Sequence, residues 1–342
     1  MSGFVASLRS RSSFDGTLEV VREYAIVVCF LALFITLSLS ADHFLTWVNL
    51  LNNLESGAIY GIVACALTLL LIVGEFDISV GAIYVLTGII AAKLEPSLGV
   101  WPSLSVGVAV ALGIGVLNGI AVAFFRINSF VATLAMSLMV VGVGTKITNG
   151  FQLYISKPSF GVLGNSKALG VDYFIWVFLA FALVCGFVLA RTKLGRWLYA
   201  TGGNPEAARL SGISTRAVRV GAFAFSGFAA GVAGAVLISR TGTAIAGDGL
   251  GDVVFPAIAA VVVGGTSILG GRGAVWRTVL GVLFLEFIRN GFNLLEVNPG
   301  RPEAVVPLGG TSASRRPRRY DPSGSRRSSS RSAGYRRRSR RC

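Results

Sequence analysis

Asp77 is the charged side chain best placed to meet a polar molecule. It lies in GEFDISVG, residues 74–81, between two long apolar runs. Glycines at both ends of that stretch let the backbone turn tightly or leave a helix at membrane depth. A carboxylate there either lies at the membrane interface or faces a wet cavity, or it caps the following helix by accepting backbone N–H bonds, and these roles are compatible. Ser79 belongs to the same break. A second break, GGTSILGGRG at 264–273, carries Thr266 and Ser267, whose hydroxyls can serve polar cargo or the backbone groups released from the helix. Backbone service is the more common role. Asn118, beside Gly119, offers an amide to a neighbouring helix or to a ligand, with helix bonding the default. Glu286 and Arg289 stand three residues apart, so one helix face can pair them and lower the cost of taking both out of water.

The most patterned polar stretch is 195–216, GRWLYATGGNPEAARLSGISTR. It is too polar to span a bilayer and reads as a docking element. Asn204 followed by Pro205 is a helix-opening pair, a capping side chain and then a ring whose φ suits a first turn. Ala207, Ala208 and Leu210 continue the helix, and Gly212 stops it. Glu206 and Arg209 are then presented to a partner.

Other chemistries lack their residues. Cys29, Cys65 and Cys185 stand singly in apolar runs, Cys342 is terminal and His43 is the sole histidine, so neither a metal cluster nor a histidine-based triad is expected. Neither GVGTK at 142–146 nor GGRG at 270–273 has the spacing of a phosphate-cradling loop. The chain is expected to have no cofactor and no ATP-hydrolysing site of its own, and thus to be no enzyme.

The elements that hold these residues follow from composition. Hydrophobic residues make up 53% of 342 positions and charged residues 14%, and the mean hydropathy is +0.70. Such a chain is an all-α, polytopic membrane bundle. About nine apolar runs lie near 24–41, 56–73, 79–94, 102–123, 129–148, 173–190, 217–239, 253–268 and 275–296. The 43 glycines fall mainly within these runs. Gly227, Gly231 and Ala235 repeat every fourth residue, a stripe along which backbones approach closely. Trp47, Trp101, Trp176 and Trp197 lie near the interfaces as belt anchors. With a cytoplasmic N-terminus, Arg9, Arg11, Arg22, Arg126, Arg191, Lys193, Arg196, Arg209, Arg216, Arg219, Arg272 and Arg277 fall inside, against Lys93, Lys146, Lys157, Lys167 and Arg240 on the outer side or its border. This asymmetry places 191–219 in the cytoplasm.

The organisation expected is a cytoplasmic segment at 1–23, a membrane domain at 24–299 and a tail at 300–342. Residues 301–342 hold 13 Arg against Glu303 and Asp321, +11 of the chain's +15. Little there can be buried, so disorder is expected. A nucleic-acid arm, a lipid-binding arm and a change of reading frame compete to explain it, and the abrupt switch after Pro299 favours the last.

Five ordered stretches, GEFDISVGAI at 74–83, NSFVATLAMS at 128–137, RTKLGRWLYATGGNPEAARLSGIS at 191–214, AIAAVVVGGTSILGGRGAVW at 257–276 and NGFNLLEV at 290–297, together resemble the permease subunit of bacterial ribose-type monosaccharide ABC importers, in the branched-chain amino acid/sugar permease superfamily. The resemblance covers roughly residues 20–299. It implies about ten spans, a permease homodimer in membrane lipid of the bacterial inner membrane, two ATP-binding-cassette ATPase subunits at the cytoplasmic face and an extracytoplasmic sugar-binding protein that delivers cargo. It further implies that Gly203, Asn204, Glu206, Ala207, Ala208, Arg209 and Gly212 form the ATPase-coupling loop, and that Asp77, Ser79, Asn118, Thr266 and Ser267 border the translocation pathway. A branched-chain amino-acid permease is the related alternative. A secondary carrier or channel would need ion-coupling carboxylates within the spans, where Glu286 has Arg289 as its partner. No nucleic-acid partner is expected.

These permeases continue past NLLEV into a final apolar span, where this chain has GRPEAVVPLGG and then the Arg/Ser tail. Packing faces left bare to lipid are expected to impair assembly. Blue-native electrophoresis beside a version carrying an apolar C-terminal span should give less complex for the chain as it stands, and equal yield would refute the expectation.

Overall fold

In the computed structural model, residues 24–247 and 249–295 are described, and the N-terminal segment and the Arg/Ser tail lie outside them. The principal helices are α1 (Tyr24–Ser40), α2 (Trp47–Val73), α3 (Val80–Leu98), α4 (Val100–Ala123), α5 (Ser129–Thr148), α6 (Val162–Asn165), α7 (Tyr173–Arg191), α8 (Lys193–Gly203), α9 (Pro205–Leu210), α10 (Thr215–Thr241), α11 (Phe255–Val263) and α12 (Val275–Leu294). Strands among the described residues are two-residue pairs, with β1 (Leu153–Tyr154) against β4 (Thr243–Ala244) and β2 (Lys167–Ala168) against β3 (Val171–Asp172). The chain is thus an all-α membrane bundle. Among the described residues six helices are long and apolar enough to cross a bilayer, namely α2, α3, α4, α5, α7 and α10. Helices also occupy the three other apolar runs.

The core is α2. From Tyr60 to Val73 every residue is buried, as befits a helix that is apolar on all sides. Its polar first turns extend the helix well ahead of the apolar run at 56. Thr46 caps them by accepting from the Asn49 N–H at 3.4 Å. Asn49 and Asn290 exchange side-chain bonds at 3.1 and 2.8 Å, and Glu55 pairs with Arg240 at 3.3 Å. On the α12 side, the Tyr60 hydroxyl donates to the Val282 carbonyl at 3.0 Å and the Thr68 and Thr278 hydroxyls bond at 2.7 Å. The Glu286–Arg289 pair forms at 3.4 Å, with Glu286 buried. By contrast α5 and α7 are 22% and 28% buried over their most apolar stretch, leaving outward faces for lipid or another chain.

The most extensive contact joins α10 to α4. Gly227 packs on the Ala111 carbonyl and Gly115, and Gly231 on Ala111 and Val108. The facing stripe on α4 is Ala111, Gly115 and Gly119, of which Gly115 and Gly119 meet Phe223 and Val220, while Gly107 packs on Thr87 of α3. A side chain at these positions would enter the opposing backbone. On the other edge of α10, Gly234 rests on the Tyr84 backbone, while Gly88 of α3 meets Ile238. Helices α3 and α10 therefore run side by side.

Charges separate the two ends of the bundle. Glu75, Arg126, Glu206, Arg209, Arg216 and Arg219 line a cavity of about 690 Å³ at one end. The other end holds the Glu95–Lys157, Asp172–Lys167 and Glu55–Arg240 pairs. The first of these is the arginine-rich end of the bundle.

Gly227→Val should cost about 1–3 kcal/mol through overpacking, read as a lowered melting temperature of the purified chain in detergent. Gly113→Ala, where an added methyl meets nothing within 4 Å, should leave the melting temperature level or higher. Equal behaviour of the two variants would contradict the close α4–α10 packing.

Candidate functional site

Residues 75–79 run as non-helical chain from the C-terminal end of α2 into the bundle. Gly74 ends α2 in the left-handed conformation, φ 85°, with its N–H on the Leu70 and Leu71 carbonyls. Backbone that leaves a helix inside a membrane needs new partners. Two hydroxyls on α5 supply them: Phe76 N–H donates to Ser129 Oγ at 3.2 Å and Ile78 N–H to Thr133 Oγ1 at 3.1 Å. The spacing fits, because four helical residues rise about 6 Å and two extended residues about 6.6 Å. These two roles within NSFVATLAMS escape a reading of the sequence, since their partners lie some fifty residues away.

Asp77 closes the break. Its Oδ1 accepts the Ser79 N–H at 3.0 Å and the Ser79 hydroxyl at 2.6 Å, and its Oδ2 accepts the Ser226 hydroxyl of α10 at 2.9 Å. Asn118 of α4 donates its amide to Ser79 Oγ at 2.8 Å, and its own Oδ1 has no partner among the described residues. Asp77, Ser79, Asn118 and Ser226 are each at most 1% exposed. One carboxylate thus ties α3, α4 and α10 together about 16 Å along α10 from its first residue. Asp77 serves the start of α3 and also joins a buried network.

Thr266 and Ser267 are placed elsewhere. Thr266 is buried against Gly273 and Ile72, its hydroxyl without a hydrogen-bond partner among the described residues. Ser267 closes a tight turn, its N–H on the Arg272 carbonyl at 2.9 Å and its carbonyl receiving Gly270 N–H at 3.2 Å. This turn belongs to the arginine-rich end, since Gly270 packs on Gly74, and Gly271 N–H donates to the Ile72 carbonyl at 2.8 Å. The apolar run at 253–268 stops being helical at Gly264 because Gly265, Gly270 and Gly271 take positive φ.

The segment at 195–216 contains two helices where the sequence marks one. Thr192 caps α8 through Gly195 N–H at 3.2 Å. Helix α8 is bound to the turn just described: the Tyr199 hydroxyl donates to the Gly273 carbonyl at 2.7 Å, and Gly202 packs directly on the Ile72 carbonyl and Gly271. Asn204 then breaks the helix and starts α9, its Oδ1 accepting from Glu206 N–H at 3.1 Å and Ala207 N–H at 3.0 Å. Pro205 holds the first position. Of α9, Ala208 faces inward and Leu210 is 76% exposed. Gly203 is exposed, with open space where a side chain would begin. Glu206 and Arg209 pair with each other at 2.6 Å on the surface, and Arg209 holds the Glu206 carboxyl below its ordinary range. Gly212 ends the turn at φ 81°. Beside α9, Arg219 pairs with Glu75 at 3.0 Å. Burial pushes the Glu75 carboxyl up, against the Ser129 hydrogen bond and the Arg219 charge.

Comparison with known proteins places these features in a lineage. Residues 49–308 match the family model described as branched-chain amino acid transport system / permease component. The ribose import permease protein RbsC of Escherichia coli K12 is 36% identical over 277 residues, 80% of this chain and 86% of that protein. The probable ABC transporter permease protein YphD of the same strain is 40% identical over 281 residues, 81% and 84% of the two chains. The L-arabinose ABC transporter permease protein AraH of Azospirillum brasilense is 34% identical over 294 residues, 86% of each. No solved structure matches.

Thr133→Val keeps shape at α5 but leaves the buried Ile78 N–H without its acceptor, and should destabilise by about 1–3 kcal/mol. Ser226→Ala should do likewise through Asp77. Both are read as lowered melting temperatures in detergent, and unchanged melting in both would show that the break does not depend on these bonds.

Proposed function

Because the chain belongs to the permease family of branched-chain amino acid transport systems, we propose that it is the membrane-spanning subunit of an ATP-driven importer whose cargo is a monosaccharide. The names of the similar proteins, ribose import permease and L-arabinose transporter permease, support sugar over a branched-chain amino acid. An ABC transport component of this kind works with an ATPase subunit and a substrate-binding protein. In this reading two copies pair within membrane lipid of the inner membrane, the binding protein delivers sugar to the outer end, and the ATPase acts at the arginine-rich end.

The observation that carries the reading is the attachment of α9. It is exposed on one side and, through α8, fixed to the end of α2 and to the 264–274 turn by the Gly202 and Tyr199 contacts. A push on α9 therefore reaches the backbone that leads directly into the Asp77 network. In the mechanism we propose, ATP binding closes the partner ATPases, displaces 203–212 and rocks the spans around a central pathway, with Asp77, Ser79 and Asn118 reorganising as α3, α4 and α10 shift. Thr266 and Ser267 act at the hinge beneath it. No covalent step takes place on this chain.

Charge reversal at Glu206→Lys with Arg209→Glu keeps the surface pair but inverts its polarity. It should abolish co-purification of the partner ATPase while leaving the yield of the permease unchanged. Asn204→Ala, which removes a cap worth about 1 kcal/mol, should weaken the same association. Wild-type recovery of the ATPase with both variants would count against α9 as the docking element.

A further inference from the structure

Beyond α10 the chain folds back into the bundle. Ile155 N–H donates to the Gly242 carbonyl at 2.9 Å, and β4 pairs with β1 at the extracytoplasmic end. From there the contacts descend along α3, with Ala244 beside Gly88 and Gly249 pressed on the Gly81 backbone, a drop of about 10 Å. A five-residue π-turn, Leu250–Val254, then leads into α11. This descent mirrors the break after α2. Helices α2 and α10 each have 27 residues, and each is followed by irregular chain returning toward the middle of the bundle, from opposite ends. Inverted pairs of broken helices of this kind place polar sites near the bilayer midplane.

Asp252 lies on that returning segment and is exposed in the single chain. It shares a recess of about 240 Å³ with Tyr84, Gly88, Thr241, Thr243 and Ile245. The Tyr84 backbone packs on Gly234, which stands about 28 Å along α10 from Thr215, within a helix of about 40 Å. An exposed carboxylate at this depth faces water or protein rather than lipid. Around the recess stand the Asp252 carboxylate, the Thr243 hydroxyl and the hydroxyl of the 4%-exposed Tyr84. Thr241 is occupied, its hydroxyl donating to the Leu237 carbonyl at 3.0 Å and accepting the Thr243 N–H at 3.4 Å. The remaining groups form one strong acceptor and two hydroxyls able to donate or accept, against a wall opened by Gly88. The recess is smaller than the roughly 300–1,000 Å³ of drug-sized sites, so it takes one small molecule.

We infer that Tyr84, Thr243 and Asp252 hold the hydroxyls of a single monosaccharide-sized polyol during its passage. The carboxylate takes two neighbouring hydroxyls, and Tyr84 and Thr243 take the others. This rests on the importer reading and assigns its cargo contacts to the segment after α10.

Uptake of radiolabelled D-ribose and L-arabinose is measured in cells producing the full chain with its ATPase and binding protein. Asp252→Asn and Thr243→Val should each lower uptake roughly tenfold or more by raising the half-saturating concentration, with ATPase co-purification at the wild-type level. Unchanged uptake overturns the site, as does loss of ATPase association with loss of uptake, which marks a structural role. A second measurement does not need transport. Thr243→Cys, in full-length chain whose native cysteines are replaced by serine, is labelled in nanodiscs with a small charged thiol reagent. Millimolar D-ribose or L-arabinose should slow labelling, whereas cyclohexanol at the same concentration should not. Absence of protection by either sugar refutes the site. Protection without any ATPase association leaves the site standing and refutes the importer reading.

Discussion

A backbone N–H or C=O in hydrocarbon must find its partner within the protein, and this requirement shapes the whole bundle. Helices meet it by themselves. The breaks after α2 and α10 do not, and each is held by elements distant in sequence. Ser129 and Thr133 serve residues 76 and 78, Ser226 donates to Asp77, and Tyr154 and Ile155 meet the chain after α10. Irregular chain is thereby kept inside the membrane, where polar groups are available for something other than structure.

Glycine is what brings these breaks together. Gly81 and Gly249 touch backbone to backbone in the interior, and Gly74, Gly202 and Gly270 do so at the arginine-rich end. Larger side chains at these joints would separate the segments. The consequence is mechanical: α9, α8, the 264–274 turn and the end of α2 form one contiguous solid path toward the Asp77 network. Force applied at α9 has few soft joints through which to be lost.

Much of this was legible in sequence because it depends on neighbours along the chain. The Asn204 cap, the Glu286–Arg289 pair, the close-packing stripe of Gly227 and Gly231 and the break around Asp77 all rest on spacings of a few residues. Features that depend on distant partners were not. Nothing near Ser129 announces that it serves Phe76, and nothing near Ser226 announces Asp77. Thr266 looks like a counterpart of Asp77 by its setting between glycines, yet its turn lies at the arginine-rich end with Gly273 and Ile72. Asp252 could have been noticed, since GDGLGD at 247–252 repeats the glycine-and-carboxylate character of GEFDISVG between apolar runs. Its significance comes from the descent of that segment along α3.

The central claim is that α9 is the cytoplasmic point at which an external motor grips this bundle. The most direct test is topological. With Ala207→Cys in a chain whose native cysteines are replaced by serine, a membrane-impermeant maleimide should label the protein only after the cells are permeabilised. Labelling in intact cells would put α9 on the outer surface and contradict the account.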